Sequence, residues 1–167
     1  MIFNFITNEP DGLVLIDKQF FPEFNDALLY SFDIYLDVNG ETELIYDFDE
    51  EWKIVRERES ALIRDFINSG KLVVILSDKK AENCEMLMEE KKVVSDKILK
   101  VPSGKLILIN ASELIQALLY PESEVDEIIE MNEIMDFEVK KGVYSVEYND
   151  IEKISLSYNK SIEGIVD

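Results

Sequence analysis

From Met135 to Tyr148 apolar and polar residues alternate on both sides of a glycine. Met135, Phe137 and Val139 alternate with Asp136, Glu138 and Lys140; Lys141-Gly142 interrupts; Tyr144, Val146 and Tyr148 then alternate with Ser145 and Glu147. Successive strand side chains point to opposite faces, so a period of two around a turn residue predicts a hairpin with one dry and one wet face. Upstream, Val125, Ile128 and Ile129 fit a helical spacing, whereas Val125, Ile129 and Met131 fit an irregular strand. A strand leading into the hairpin is the expectation taken here.

The same period recurs at Leu28, Tyr30, Phe32, Ile34, Leu36 and Val38, followed by Asn39-Gly40 and by Leu44, Tyr46 and Phe48. Asn-Gly tolerates the positive φ of a type I′ turn, so a second hairpin is expected over 28–48. Asp49, Glu50 and Glu51 suit a helix start and Asn68-Ser69-Gly70 a helix stop. Between them Trp52, Val55, Leu62, Ile63, Phe66 and Ile67 form an apolar stripe interrupted over 56–60, with Trp52 as its anchor. Leu13 to Ile16 reads as a first strand, and Phe20, Phe21 and Phe24 as packing aromatics. The continuous run Leu72 to Leu76 predicts a central strand. Cys84, Met86 and Met88 alternate as another. Ile98–Val101 and Leu106–Ile109 flank Pro102-Ser103-Gly104-Lys105, a strand, a reversal and a strand. Ser112 is placed to cap a short helix reaching Leu119, and Ile154, Leu156 and Tyr158 to add an edge strand. The fold class predicted is mainly β with accessory helices (α+β), an antiparallel β-sandwich or open barrel with one moderate and one short helix. At 167 residues a single domain, 1–167, buries roughly two-thirds of its unfolded surface.

Charge narrows the function. The formal net charge is −19 and it is segregated: residues 1–52 hold 13 acids and one base, residues 53–105 nine acids and 12 bases, residues 106–167 14 acids and four bases. Such a chain repels nucleic acid and anionic membrane and associates fast with basic partners. Two acidic runs stand out. Glu41, Glu43, Asp47, Asp49, Glu50 and Glu51 form one; the other places eight carboxylates, Glu122, Glu124, Asp126, Glu127, Glu130, Glu133, Asp136 and Glu138, over 122–138 with no Lys or Arg. Each is either a solvated face or a surface that imitates a phosphate backbone.

Residue types required by common chemistries are absent or isolated. No histidine is present, which removes the Ser-His-Asp and Cys-His arrangements and most transition-metal sites. Cys84 has no basic neighbour in sequence and reads as an inert buried thiol; a lone cysteine also fits a reducing compartment. The six glycines form no phosphate loop, and the first acidic run lacks the glycine and spacing of a Ca²⁺ loop. With 36 acids, some carboxylate pairs fall close by chance, so a carboxylate-dependent hydrolase is a lesser alternative. The expectation is a cytoplasmic, non-enzymatic protein without cofactor or metal.

The segment Asp136-Phe137-Glu138-Val139-Lys140-Lys141-Gly142-Val143-Tyr144-Ser145-Val146 resembles the C-terminal hairpin of the bacterial competence-nuclease inhibitor family and related β-rich immunity-type proteins. Val101-Pro102-Ser103-Gly104 before an apolar strand resembles turns of the same group. The resemblance covers about a quarter of the chain and implies a small cytoplasmic protein that blocks a toxic or degradative enzyme. The function expected is therefore an acidic binding protein that occupies the basic groove of a nuclease or other toxin, without itself binding nucleic acid or membrane. Its contacts would be Glu41, Glu43, Asp47, Asp49, Glu50, Glu51, Glu122, Glu124, Asp126, Glu127, Glu130 and Glu133, with Tyr46 and Tyr120 as aromatic anchors. The alternative is a homo-oligomeric structural or regulatory domain whose charges serve solubility.

Overall fold

The computed structural model describes residues 2–7, 12–39, 50–75, 81–89, 97–111, 114–115, 135–150 and 153–160. Nine strands and three α-helices fall within them: β1 (Ile2–Thr7), β2 (Leu13–Asp17), α1 (Asp26–Asn39), α2 (Glu50–Glu59), α3 (Ala61–Asn68), β3 (Leu72–Ile75), β4 (Ala81–Glu89), β5 (Ile98–Val101), β6 (Lys105–Asn110), β7 (Met135–Glu138), β8 (Gly142–Asp150) and β9 (Lys153–Lys160), with a 3₁₀ turn at Lys18–Glu23. The strands form a five-stranded sheet in the order β1-β4-β9-β8-β5 and a four-stranded sheet in the order β3-β2-β6-β7. All neighbours are antiparallel except β4 and β9, which run parallel. The expected mainly-β α+β sandwich with accessory helices is the observed architecture.

The apolar runs LVLI, LVVI and LILI build the middle layer. Every residue of β2 and β3 is buried, as are Leu106 to Asn110 of β6. One face of this sheet, with Leu13, Leu15, Val73, Ile75, Leu106 and Leu108, packs on Met86, Leu99, Tyr144, Val146, Ile154 and Leu156 of the five-stranded sheet. Its other face, with Val14, Ile16, Leu72, Val74, Ile107 and Ile109, packs on Phe20, Phe21, Leu28, Phe32, Ile63 and Phe66. Alternation is therefore absent from β2 and β3, where both faces are dry, and shows over the start of β9, where Ile154 and Leu156 are buried while Lys153 is exposed and Ser155 partly exposed. Each fully buried Leu or Ile contributes roughly 1.5–3 kcal/mol, so this double-sided layer dominates the apolar stabilisation.

The first strand of the hairpin expected over 28–48 is instead a helix. Leu28, Phe32 and Leu36 belong to the alternating set and, together with Tyr35, which breaks that alternation, satisfy the i, i+4, i+7, i+8 spacing of one helical face; that face packs on the middle sheet. The start settles the ambiguity. Asn25 caps α1, its Oδ1 accepting from the Leu28 N–H at 2.8 Å, and the Leu29 N–H reaches the Asn25 carbonyl at 2.9 Å. The return strand expected at Leu44–Phe48, most of the Ser112–Leu119 helix and the 122–131 segment lie outside the described residues.

The single helix expected over 49–68 is two, α2 and α3, broken at Ser60. Ser60 does not cap α3 with its own side chain; its hydroxyl donates to the Glu57 carbonyl at 2.8 Å. The Ile63 N–H donates instead to Oγ of Ser31, a buried residue of α1, at 3.0 Å, so one helix caps another. The α3 stop occurs where Gly70 predicts it. Gly70 has φ 81°, its N–H reaches the Ile67 carbonyl at 3.0 Å and the Lys71 N–H reaches the Phe66 carbonyl at 3.3 Å, a Schellman cap.

Two further hairpins prove to be corners. β7 pairs with β6 and β8 with β5 and β9, so the Gly142 turn carries the chain from the four- to the five-stranded sheet. The Pro102-Ser103-Gly104 turn likewise joins β5 in one sheet to β6 in the other. The corners are tied together: the Val139 N–H donates to the Gly104 carbonyl at 2.8 Å, and a Cβ on Gly104, at φ 75°, would stand 2.8 Å from the Val139 carbonyl oxygen. Asp17, fully buried, clamps the same place, accepting from the Ser103 hydroxyl at 2.6 Å, the Ser103 N–H at 3.0 Å and the Gln19 N–H at 2.7 Å. Two edge assignments also change. β3, expected to be central, is an edge strand, and β9, expected at the edge, is the middle strand of the five-stranded sheet.

Two outcomes test these links. Ser31→Ala leaves the Ile63 N–H without its buried acceptor and lowers the unfolding free energy by about 1–3 kcal/mol, with a smaller loss for Ser60→Ala, in urea titrations. Tyr144, whose hydroxyl donates to the Lys140 carbonyl, has its phenol pushed up to about 12 by burial and then by Tyr158. Its neutral form is the one the fold favours, so the stabilisation is fully present below the ordinary value of 10 and is lost as pH rises to about 12. Thermal melts should fall more steeply over that window for the native chain than for Tyr144→Phe.

Candidate functional site

β3 and β5 are edges of different sheets, and they meet where the Lys100 N–H donates to the Gly70 carbonyl at 2.7 Å. Above that junction, against α1 and the end of α3, lies a pocket of about 420 Å³ lined by Tyr35, Ile67, Asn68, Val73, Val74, Lys97, Ile98 and Tyr148. The Schellman cap positions Ile67 and Asn68 at its rim while β3 supplies the valines of its wall. Lys97 enters just before β5, its carbonyl accepting from the Val146 N–H at 2.9 Å.

The polar groups of the pocket are close together. Lys97 Nζ sits 3.8 Å from the centroid of the Tyr148 ring and donates to the Tyr148 hydroxyl. An ammonium over a tyrosine face is held by the ring quadrupole as well as by the hydrogen bond. Tyr35 is half-buried, and its phenol is pushed above its ordinary value by burial first and by Tyr148 second, with Arg64 acting in the opposite direction. Tyr35 therefore presents a protonated hydroxyl at neutral pH. Among the described residues the lining holds one ammonium and no carboxylate, in a chain of net charge −19.

A second surface lies on the helices. Tyr30, Ile54, Val55 and Leu62 are large apolar or aromatic residues left about half exposed, at 52, 55, 46 and 54%. The Tyr30 hydroxyl donates to Glu59 at 2.5 Å, and Arg56 pairs with Glu59 at 3.1 Å. Asp33, Glu51, Glu57 and Asp65 are exposed on the same three helices.

Of the residues expected to contact a partner, Glu50 and Glu51 form the first turn of α2, as acids at a helix start should, and Glu51 is exposed. Glu41, Glu43, Tyr46, Asp47, Asp49, Tyr120, Glu122, Glu124, Asp126, Glu127, Glu130 and Glu133 lie outside the described residues. The pocket residues were not singled out from sequence, although the basic middle third, 53–105, contains Lys97 and Arg64 and was the available signal. Asp17, the buried carboxylate among the described residues, is consumed by the corner clamp and faces no pocket. Among the described residues no three His, Cys, Asp or Glu side chains converge on a metal-sized site, and no helix is long and apolar enough to cross a membrane.

The pocket electrostatics can be read optically. In an alkaline titration followed by tyrosinate absorbance, Tyr35→Phe should remove a phenol that ionises later than an exposed tyrosine, leaving the early part of the curve unchanged. Loss of an early-ionising phenol would contradict the burial of Tyr35.

No family model matches the chain, and no curated protein matches it. Among solved structures, one titled "Crocagin biosynthetic gene J" is similar in backbone course, at 10% sequence identity and a TM-score of 0.48, over 96% of this chain and 98% of that one.

Proposed function

We propose that the chain is a non-catalytic binding protein of the immunity type, which uses its acidic surface to cover the basic site of a nuclease or other toxin. The observation that supports this most directly is the composition of the helices, where half-exposed Tyr30, Ile54, Val55 and Leu62 share three helices with exposed Asp33, Glu51, Glu57 and Asp65, alongside exposed Arg58 and Arg64. Apolar anchors give an interface its affinity when desolvated, and surrounding charge gives it partner choice and association rate. A body of net charge −19 favours a basic protein as occupant and disfavours nucleic acid. Carboxylates would stand where substrate phosphates otherwise lie, so inhibition is competitive exclusion and needs no group on this chain to react.

The test is a low-salt capture from native extract with stepwise salt release, followed by assay of the released protein on DNA and RNA. The expected result is a basic enzyme whose activity is suppressed by stoichiometric addition of the chain. Reversing Asp33, Glu51 and Glu57 to Lys should slow association by roughly tenfold or more at low salt. Unchanged affinity after charge reversal would overturn this reading, and a salt-insensitive self-association abolished by Leu62→Asp would favour the homo-oligomeric alternative.

A further inference from the structure

We infer that the pocket between the β3 and β5 edges binds a small aliphatic monocarboxylate, with Lys97 and Tyr35 taking the carboxylate and Ile67, Val73, Val74 and Ile98 taking the chain. This site is separate from the helical face, and it stands or falls without the partner proposed above. The pocket's volume of about 420 Å³ lies within the roughly 300–1,000 Å³ range of small-molecule sites. Its make-up matches one ligand chemistry. Ile67 and Ile98 border it together with the β3 edge, where Val73 and Val74 lie on opposite faces of the sheet, and its polar groups are the Lys97 ammonium, a donor only, and the Tyr35 and Tyr148 hydroxyls and Asn68 amide, which can also donate.

The sign of the ligand charge follows from the surroundings. Lys97 is fixed over the Tyr148 ring, 3.8 Å from its centroid, which limits the side-chain entropy lost when an anion is held. Arg64 is close enough to act on Tyr35, so a second cation adds to the local field. A carboxylate accepts several charge-assisted hydrogen bonds there, whereas an amine would face the ammonium as a like charge. A diacid is disfavoured, because its second carboxylate would rest on the valine wall without a partner.

Octanoate, octanol and octylamine are the probes, added to the full chain labelled at its Ile and Val methyl groups and followed by two-dimensional NMR. Octanoate should shift the methyl signals of Ile67, Val73, Val74 and Ile98 in a saturable manner. Octanol should bind at least about tenfold more weakly, octylamine should leave those signals unmoved, and Lys97→Met, which keeps the aliphatic stem, should weaken octanoate by about tenfold or more. Equal affinity for octanoate and octylamine, saturable shifts confined to Ile54, Val55 and other helical-face methyls, or no saturable shift with octanoate would each overturn the inference. The probe comparison on the native chain decides the matter even if Lys97→Met folds poorly.

Discussion

The four-stranded sheet is dry on both faces, and the rest of the molecule is arranged to keep it so. A sheet whose central strand buries Leu13 to Asp17 without exception needs a layer on each side. The five-stranded sheet supplies one layer through Tyr144, Val146, Ile154 and Leu156; the 3₁₀ turn, α1 and α3 supply the other through phenylalanines 20, 21, 32 and 66. α1 and α3 are in turn mutually dependent, because Ser31 provides the cap that the start of α3 lacks. Loss of the helical layer would expose Val14, Ile16, Val74 and Ile109 together, so the helices are structural before they are functional.

Two of the chain's passages between the sheets, β5 to β6 and β7 to β8, are adjacent corners, and polar groups are concentrated there. Asp17 is taken out of water at a cost that only its three hydrogen bonds offset. The cost secures position, since the clamp fixes the end of β2 against the Ser103 turn, and Gly104 fixes that turn against Val139. At the opposite limit of the four-stranded sheet, β3 has no further strand beside it among the described residues, and the space next to its edge is the pocket of Tyr35, Lys97 and Tyr148. The pocket and the half-exposed apolar residues of the helices thus arise from one layered plan.

Much of this was legible in one dimension. Unbroken apolar runs announced strands buried on both faces, period-two segments announced half-buried ones, and Gly70 announced the end of α3, because each follows from local geometry and burial alone. α1 was misread because Leu28, Phe32 and Leu36 fit an alternating run and a helical face at once; Tyr35 fits only the helical face. The deciding signal was local and modest: Asn25 with a carboxamide placed to cap, followed by Asp26. The expected acidic contacts rest on charge density, which measures how a surface behaves in solution without locating which acids are presented together.

The sequence by itself determined the mainly-β class with accessory helices, most of the strands outside α1, the stop of α3 and the chain's net negative charge, since these depend on residues near one another in the chain or on simple counts. Only the tertiary structure decided partners: that the Gly104 and Gly142 turns change sheets, that β9 lies in the middle and β3 at an edge, and that Ser31 caps a helix 32 residues away. It also brought Tyr35, Lys97 and Tyr148 into one pocket from three distant segments. The reason is physical. A strand's pattern records whether each face is dry, but says nothing about which dry face it meets, because apolar contact is non-directional and pairing is set by the closure of the whole core.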